Sequence, residues 1–116
     1  MDSLSKPELS AERSDPDPEA MHRPVIEAPH VVVAGEMFPV TVKVGKSPHV
    51  MEAGHYIQFT DLYDREVFLA RVTFAPVSLM PKFTCFLVLN ESTQLRAVTS
   101  CSLDGCWEAE HWIQVD

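Results

Sequence analysis

The feature that most constrains the fold is the alternation of apolar and polar side chains in short segments. In residues 36–44, the side chains of Phe38, Val40 and Val42 fall on one side of an extended chain, with polar residues and a proline between them. A period of two in β-branched and aromatic residues predicts a half-buried β-strand. Because proline cannot donate a ladder hydrogen bond, Pro39 indicates an edge strand or the beginning of a strand.

The rest of the chain contains further segments with the composition of β-strands. Similar strand-like segments occupy residues 24–29, 55–63, 66–74, 82–89, 94–101 and 110–115. No segment offers a ten-residue helical period with caps. The pattern predicts an all-β protein, an immunoglobulin-like antiparallel β-sandwich of about seven strands. Phe38, Cys85 and Trp112 are the candidate core side chains, since free cysteines and large apolar residues are usually buried.

Residues 1–20 differ in composition from the remainder. They carry six acidic and two basic residues and no aromatic one, so they cannot bury enough apolar surface to offset the entropy cost of ordering. We predict a flexible acidic leader over 1–20 and one folded domain over 21–116.

The net charge argues against two classes of partner, and the cysteine count bears on the cellular compartment. A net charge of −8 argues against binding to nucleic acid or to an anionic membrane surface. No apolar run reaches the ~20 residues that a membrane span needs, and the N-terminus lacks the layout of a signal peptide. Three cysteines, an odd number, do not form a secreted disulfide framework, which predicts a cytoplasmic protein with free thiols.

Two regions carry candidate metal ligands. His49 and His55 lie six positions apart in one segment without helical periodicity, so a short loop could direct both imidazoles toward one metal ion. The alternative is two solvated surface histidines. Further along, Cys101, Asp104 and Cys106 surround a turn at Gly105. His30 and His111 stand apart and are interpreted as structural or exposed.

Three separated blocks, taken in order, resemble the superoxide reductase family, which comprises neelaredoxin and the iron domain of desulfoferrodoxin. The blocks are His22-Arg23-Pro24, then Pro48-His49 followed by His55-Tyr56-Ile57, then Cys101 with Gly105 and Trp107. The resemblance covers about residues 21–115. It implies an immunoglobulin-like sandwich that holds a mononuclear iron, with four equatorial histidines and an axial cysteine thiolate.

The resemblance also assigns positions within the site. The implied ligands are His22, His49 and His55 at three histidine positions, Cys101 at the thiolate position, and Asp104 where the family has its fourth histidine. Asp104 is either a ligand or only a turn residue before Gly105; both interpretations stay open. The family's Glu-Lys pair, implied to cap the iron and attract superoxide, is replaced here by Ala20 and Met21, and its asparagine by Ser102.

The implied activity is the reduction of superoxide to hydrogen peroxide, with iron as cofactor. Electrons would come from a separate donor such as a rubredoxin-like protein, and the protein would be a dimer or tetramer. Glu52 is a further candidate catalytic residue, able to reach over the open face of the metal. The alternative from another class is a non-catalytic metal-binding or interaction paralogue.

Cys106 has three interpretations: a second thiolate ligand, a disulfide partner of Cys101 in a redox sensor, or a small apolar residue that faces inward. We favour the last, since free cysteine usually behaves as a small hydrophobe.

Overall fold

The computed structural model describes residues 21–45 and 49–116. Its elements are eight β-strands: β1 (Pro24–Glu27), β2 (Val31–Val32), β3 (Met37–Val44), β4 (Ile57–Asp64), β5 (Val67–Thr73), β6 (Lys82–Val88), β7 (Thr93–Cys101) and β8 (Gly105–Val115). The predicted leader lies outside the described residues. The predicted all-β class is confirmed.

The strands form two sheets. The smaller has the order β1-β3-β6 and the larger the order β2-β8-β7-β4-β5. Pairing is antiparallel throughout except between β2 and β8, which run parallel. Pro39 therefore does not mark an edge: β3 is the central strand of its sheet, and Pro39 lies near the beginning of that strand, as the second interpretation predicted.

The core lies between the two inner faces, which is the arrangement of a β-sandwich. Its buried side chains come from both sheets: Val32, Phe38, Val40, Val42, Leu62, Leu89, Leu95, Ala97 and Ile113. The alternation read from the sequence is thus the inside–outside alternation of β3, and Phe38 is buried as predicted. Cys85 is only half-buried and packs against this core.

The closing strand differs most from its prediction. β8 begins at Gly105, five residues before the predicted start, and it pairs with β7 over the whole length of that strand. Its inward positions include Ile113, whereas Trp112, one residue away, points outward and is 49 % exposed. The prediction of Trp112 as a core residue is therefore wrong, because successive side chains of a strand point to opposite faces. The Arg65 guanidinium instead lies 6.0 Å from the Trp112 ring centroid.

A smaller core cluster lies at one end of the sandwich. It joins Val44 at the end of β3, Ile57 at the start of β4, Phe74 just after β5, and Cys101 at the end of β7. These residues support the loops in which most of the candidate ligands stand. Within the described residues, no helix is long and apolar enough to cross a membrane, and the cytoplasmic location stays a prediction.

Candidate metal centre

Five side chains converge at this end of the sandwich. His22 stands before β1, His49 and His55 stand between β3 and β4, Cys101 ends β7, and Asp104 lies in the turn before β8. Each offers one ligand atom, and these atoms all lie within 4.8 Å of one another. The structure thus brings together all five residues that the sequence named as metal ligands.

Sheet pairing explains why distant segments meet here. Ile57 pairs with Cys101, which places the histidine loop beside the end of β7. The Gly45 N–H donates to the Arg23 carbonyl at 2.9 Å, which holds the His22 segment against the end of β3. The turn between β7 and β8 closes at Gly105, whose φ of +83° lies in the left-handed region that glycine adopts without strain.

The Asp104 carboxylate is the centre of the cluster's hydrogen bonds. Its Oδ2 accepts from His22 Nε2 at 2.9 Å and from His55 Nε2 at 3.0 Å. The Cys101 thiol lies 3.5 Å from the same oxygen and 3.5 Å from His49 Nε2. The far side of the His49 ring is fixed as well, since Nδ1 donates to the Val50 carbonyl at 2.7 Å. A backbone carbonyl on one ring nitrogen leaves the other free to bind a metal.

The cluster is closed on one side and open on the other. His22, His49 and Cys101 are 6 %, 2 % and 3 % exposed, whereas His55 is half-buried and the Asp104 side chain is 42 % exposed. A small solute would therefore approach from the side of Asp104 and His55. The aromatic ring of Trp107 covers His22, with centroids 5.1 Å apart and planes 17° apart.

Burial and hydrogen bonding set the protonation of the cluster. Burial lowers the pKa of His49, so its imidazole is neutral at neutral pH. Burial raises the pKa of the Cys101 thiol, so a metal ion would have to displace its proton. Burial also works to raise the pKa of Asp104, but hydrogen bonds from His22, Cys101 and His55 outweigh it and hold that pKa below its usual range.

Glu52 and Cys106, the two other residues singled out from the sequence, lie outside the cluster. Glu52 is exposed and is not among the five converging residues; its backbone forms a pair of 3.0 Å hydrogen bonds with His55. Cys106 is exposed, so the prediction that it faces inward is wrong. It pairs with Ser100, whereas Cys101 pairs with Gly105. The two thiols therefore point to opposite faces of the sheet, which excludes a Cys101–Cys106 disulfide without backbone movement.

Two residues that support His22 were not predicted from the sequence. Trp107 belongs to the motif that begins at Cys101, and because β8 begins at Gly105 it lies on the inner face beside His22. Thr99 donates from Oγ1 to the His22 carbonyl at 3.0 Å. A threonine in a strand gives no sign of such a role, because the partner lies 77 positions away in the sequence.

Comparison with known proteins identifies the family. The sequence profile described as Desulfoferrodoxin matches residues 14–110. The chain belongs to the desulfoferrodoxin family. A relative from Methanocaldococcus jannaschii is 37 % identical over 105 residues, covering 86 % of this chain and 88 % of the relative.

Solved structures of this family share the fold. Superoxide reductase (neelaredoxin) from Ignicoccus hospitalis is 41 % identical, with a TM-score of 0.76 over 82 % of this chain and 81 % of that one. Superoxide reductase from Nanoarchaeum equitans is 28 % identical, with a TM-score of 0.69 over 81 % and 94 %. The sandwich described above is therefore that of the desulfoferrodoxin family.

The donor set fits the non-haem iron that the desulfoferrodoxin family binds. Imidazole nitrogen, thiolate sulfur and carboxylate oxygen are all iron ligands in proteins. Here three imidazoles, one thiol and one carboxyl group converge from separate segments, and three of the five are buried. A metal ion held by this half-open cluster would be reachable by a small solute from the side of His55 and Asp104.

Proposed function

We propose that this protein reduces superoxide to hydrogen peroxide at a mononuclear iron. The ligands would be His22, His49, His55, Cys101 and Asp104. The observation that carries the proposal is the convergence of these five ligand atoms within 4.8 Å, in a chain of the desulfoferrodoxin family. Bound iron would supply one electron to superoxide, which takes up two protons to become hydrogen peroxide, and a separate donor would return that electron.

The chain's own groups divide the remaining work. His49 is buried and neutral, so it is ready to bind a cation without first losing a proton. Cys101, buried among apolar side chains, would supply a thiolate whose electron donation tunes the iron. The exposed side of the cluster, at His55 and Asp104, is where superoxide would arrive. A rubredoxin-like protein is the proposed electron donor, and a dimer or tetramer is the proposed assembly.

Asp104 changes the charge of this ligand set relative to a site with four histidines. A carboxylate in place of a neutral imidazole makes the ligand set one charge more negative. That charge favours ferric over ferrous iron and so lowers the reduction potential. It also repels an incoming superoxide anion. We expect slower re-reduction and slower reaction with superoxide than in a relative with four histidines.

The same residue favours a second candidate, a metal-binding paralogue without catalysis. Asp104 accepts hydrogen bonds from two of the three histidines, so its carboxylate acts on the whole cluster. If its charge prevents the redox cycle, the protein would bind metal and not turn over. The two candidates differ in one observable: whether superoxide rapidly oxidises the ferrous protein and a donor then reduces it again.

The test begins with anaerobic metal analysis and a visible spectrum before and after mild oxidation. The proposal expects about one iron per chain and a thiolate-to-ferric charge-transfer band that is lost in Cys101→Ala. In Asp104→His the band should shift, because a neutral ligand replaces a charged one. Superoxide kinetics on the ferrous protein follow. Zinc, or no metal, without such a band would overturn the reductase proposal.

A further inference from the structure

Ser102 joins the two ligand segments at the point where regular strand pairing ends. Its N–H donates to the Tyr56 carbonyl at 2.9 Å. In return, the Tyr56 N–H donates to Ser102 Oγ at 3.0 Å. Ser102 directly follows the candidate ligand Cys101, and Tyr56 directly follows the candidate ligand His55. We call this reciprocal pair of hydrogen bonds the Ser102–Tyr56 clamp.

The Ser102 hydroxyl takes the place of a backbone carbonyl as the acceptor of the Tyr56 N–H. In a continuing antiparallel ladder, a backbone carbonyl would accept the Tyr56 N–H. Here β7 ends at Cys101 and the chain turns through residues 102–104 toward β8. The Ser102 side chain thus extends the β4–β7 pairing by one step, past the Ile57–Cys101 pair. The β4–β7 register is also irregular between Ile57 and Phe59, so the ladder near the site is already interrupted there.

We propose that Ser102 is a positioning residue that fixes the His55 imidazole relative to the Cys101 thiol. The inference rests on the proposed metal function, since it assigns the clamp a role in holding two metal ligands. His55 is half-buried and stands in a loop whose backbone also pairs at Glu52; the Ser102–Tyr56 clamp is what ties this loop to the end of β7. The clamp bonds the residue after His55 and not the imidazole itself, so its removal should weaken metal binding by at most the roughly tenfold loss that removing a direct partner of a metal ligand causes.

The chain offers a matched control at the other end of the same strand. Ser92 immediately precedes β7, and its Oγ accepts the Val115 N–H at 2.8 Å. Ser92→Ala removes the same kind of bond as Ser102→Ala, but at the end of β7 away from the metal cluster. Ser102→Thr retains a hydroxyl at the clamp. The three variants separate loss of a hydrogen bond from loss of ligand positioning.

The experiment measures Co²⁺ affinity by competition with a chelator, together with the thiolate–Co²⁺ charge-transfer band. Ser102→Ala should bind Co²⁺ measurably more weakly, by up to roughly tenfold, and show a shifted band. Ser102→Thr should recover most of both, and Ser92→Ala should match the wild type. Equal affinity and equal spectra in Ser102→Ala and wild type would overturn the inference.

Amide hydrogen exchange of Tyr56 in the metal-free protein keeps this result separate from the metal proposal. Failure of the wild type to bind Co²⁺ or Fe²⁺ would overturn the proposed function. The clamp would then be judged by exchange alone: faster Tyr56 exchange in Ser102→Ala than in Ser92→Ala supports it. Unchanged Tyr56 exchange overturns it.

Discussion

Two facing threonines provide a sharp test of how the His22 segment is held. Thr60 on β4 and Thr99 on β7 are paired across the larger sheet, and they are 1 % and 0 % exposed. Thr99 Oγ1 donates to the His22 carbonyl at 3.0 Å. Thr60 Oγ1, although equally buried, has no hydrogen-bond partner in the described part of the chain. Replacing either by valine preserves side-chain shape and removes one hydroxyl.

Only the change at Thr99 should destabilise the protein. Thr99→Val loses a buried hydrogen bond, which costs about 1 kcal/mol in the free energy of unfolding. For a domain of this size, that lowers the melting temperature by about 4–8 °C. Thr60→Val removes a hydroxyl that is desolvated without compensation, so it should be neutral or stabilising by about 1 kcal/mol.

Co²⁺ affinity should likewise fall in Thr99→Val and stay unchanged in Thr60→Val. If Thr99→Val releases His22 in the metal-free protein, the metal must restore its position on binding, and at most this ~1 kcal/mol, about a fivefold weaker affinity, is lost from binding. Denaturant unfolding of the metal-free protein and Co²⁺ titration of the folded protein measure the two quantities separately. Thr60→Val is the control in both. Equal destabilisation by the two substitutions, or unchanged Co²⁺ affinity in Thr99→Val, would refute the reasoning.

Two further predictions concern buried charge. Burial lowers the pKa of His49 below the ordinary 6.5, so below about pH 6.5 the unfolded chain binds a proton there that the folded protein does not. The free energy of unfolding of the metal-free protein should therefore fall as the pH drops below about 6.5. The fall should be smaller in His49→Gln. A pH slope identical in both proteins would contradict this. Asp61, whose side chain is 5 % exposed, accepts two bonds from Arg71 at 2.6 and 2.8 Å. Arg71→Gln leaves the buried Asp61 carboxylate without its cationic partner and should lower the midpoint of urea unfolding. Asp61→Asn in the same chain should recover part of that loss; no recovery would contradict the prediction.

The strands were predictable wherever one face carried an uninterrupted apolar row. β3 shows such a row, and its central place between β1 and β6 makes both its inner face and its pairing regular. β8 lacks such a row. On its inner face the small Ala109 and the polar His111 stand between Trp107 and Ile113, and the large apolar Trp112 lies on the outer face. Cys106 and Trp112 lie on the same outer face of β8, so the expectation that both apolar side chains face inward is wrong for both.

The ligand residues could be named from the sequence because the resemblance fixed their order and spacing. Their supports could not. Thr99 and Ser102 act through partners 77 and 46 positions away. The pairing of β4 with β7 brings Tyr56 near Ser102, whereas His22 reaches Thr99 because the segment before β1, in the facing sheet, packs against β7. Hydroxyl side chains serve equally well in strands, turns and caps, so their residue type alone does not reveal the partner.

The turn and ligand interpretations of Asp104, which the sequence leaves as alternatives, turn out to be compatible. Asp104 lies in the turn before Gly105, as a short polar residue before a left-handed glycine commonly does. That same turn directs its carboxylate to His22 and His55. A histidine at this position could fill the same turn, so the turn does not require aspartate. The choice of residue therefore bears on the charge of the cluster, and Asp104→His tests that charge.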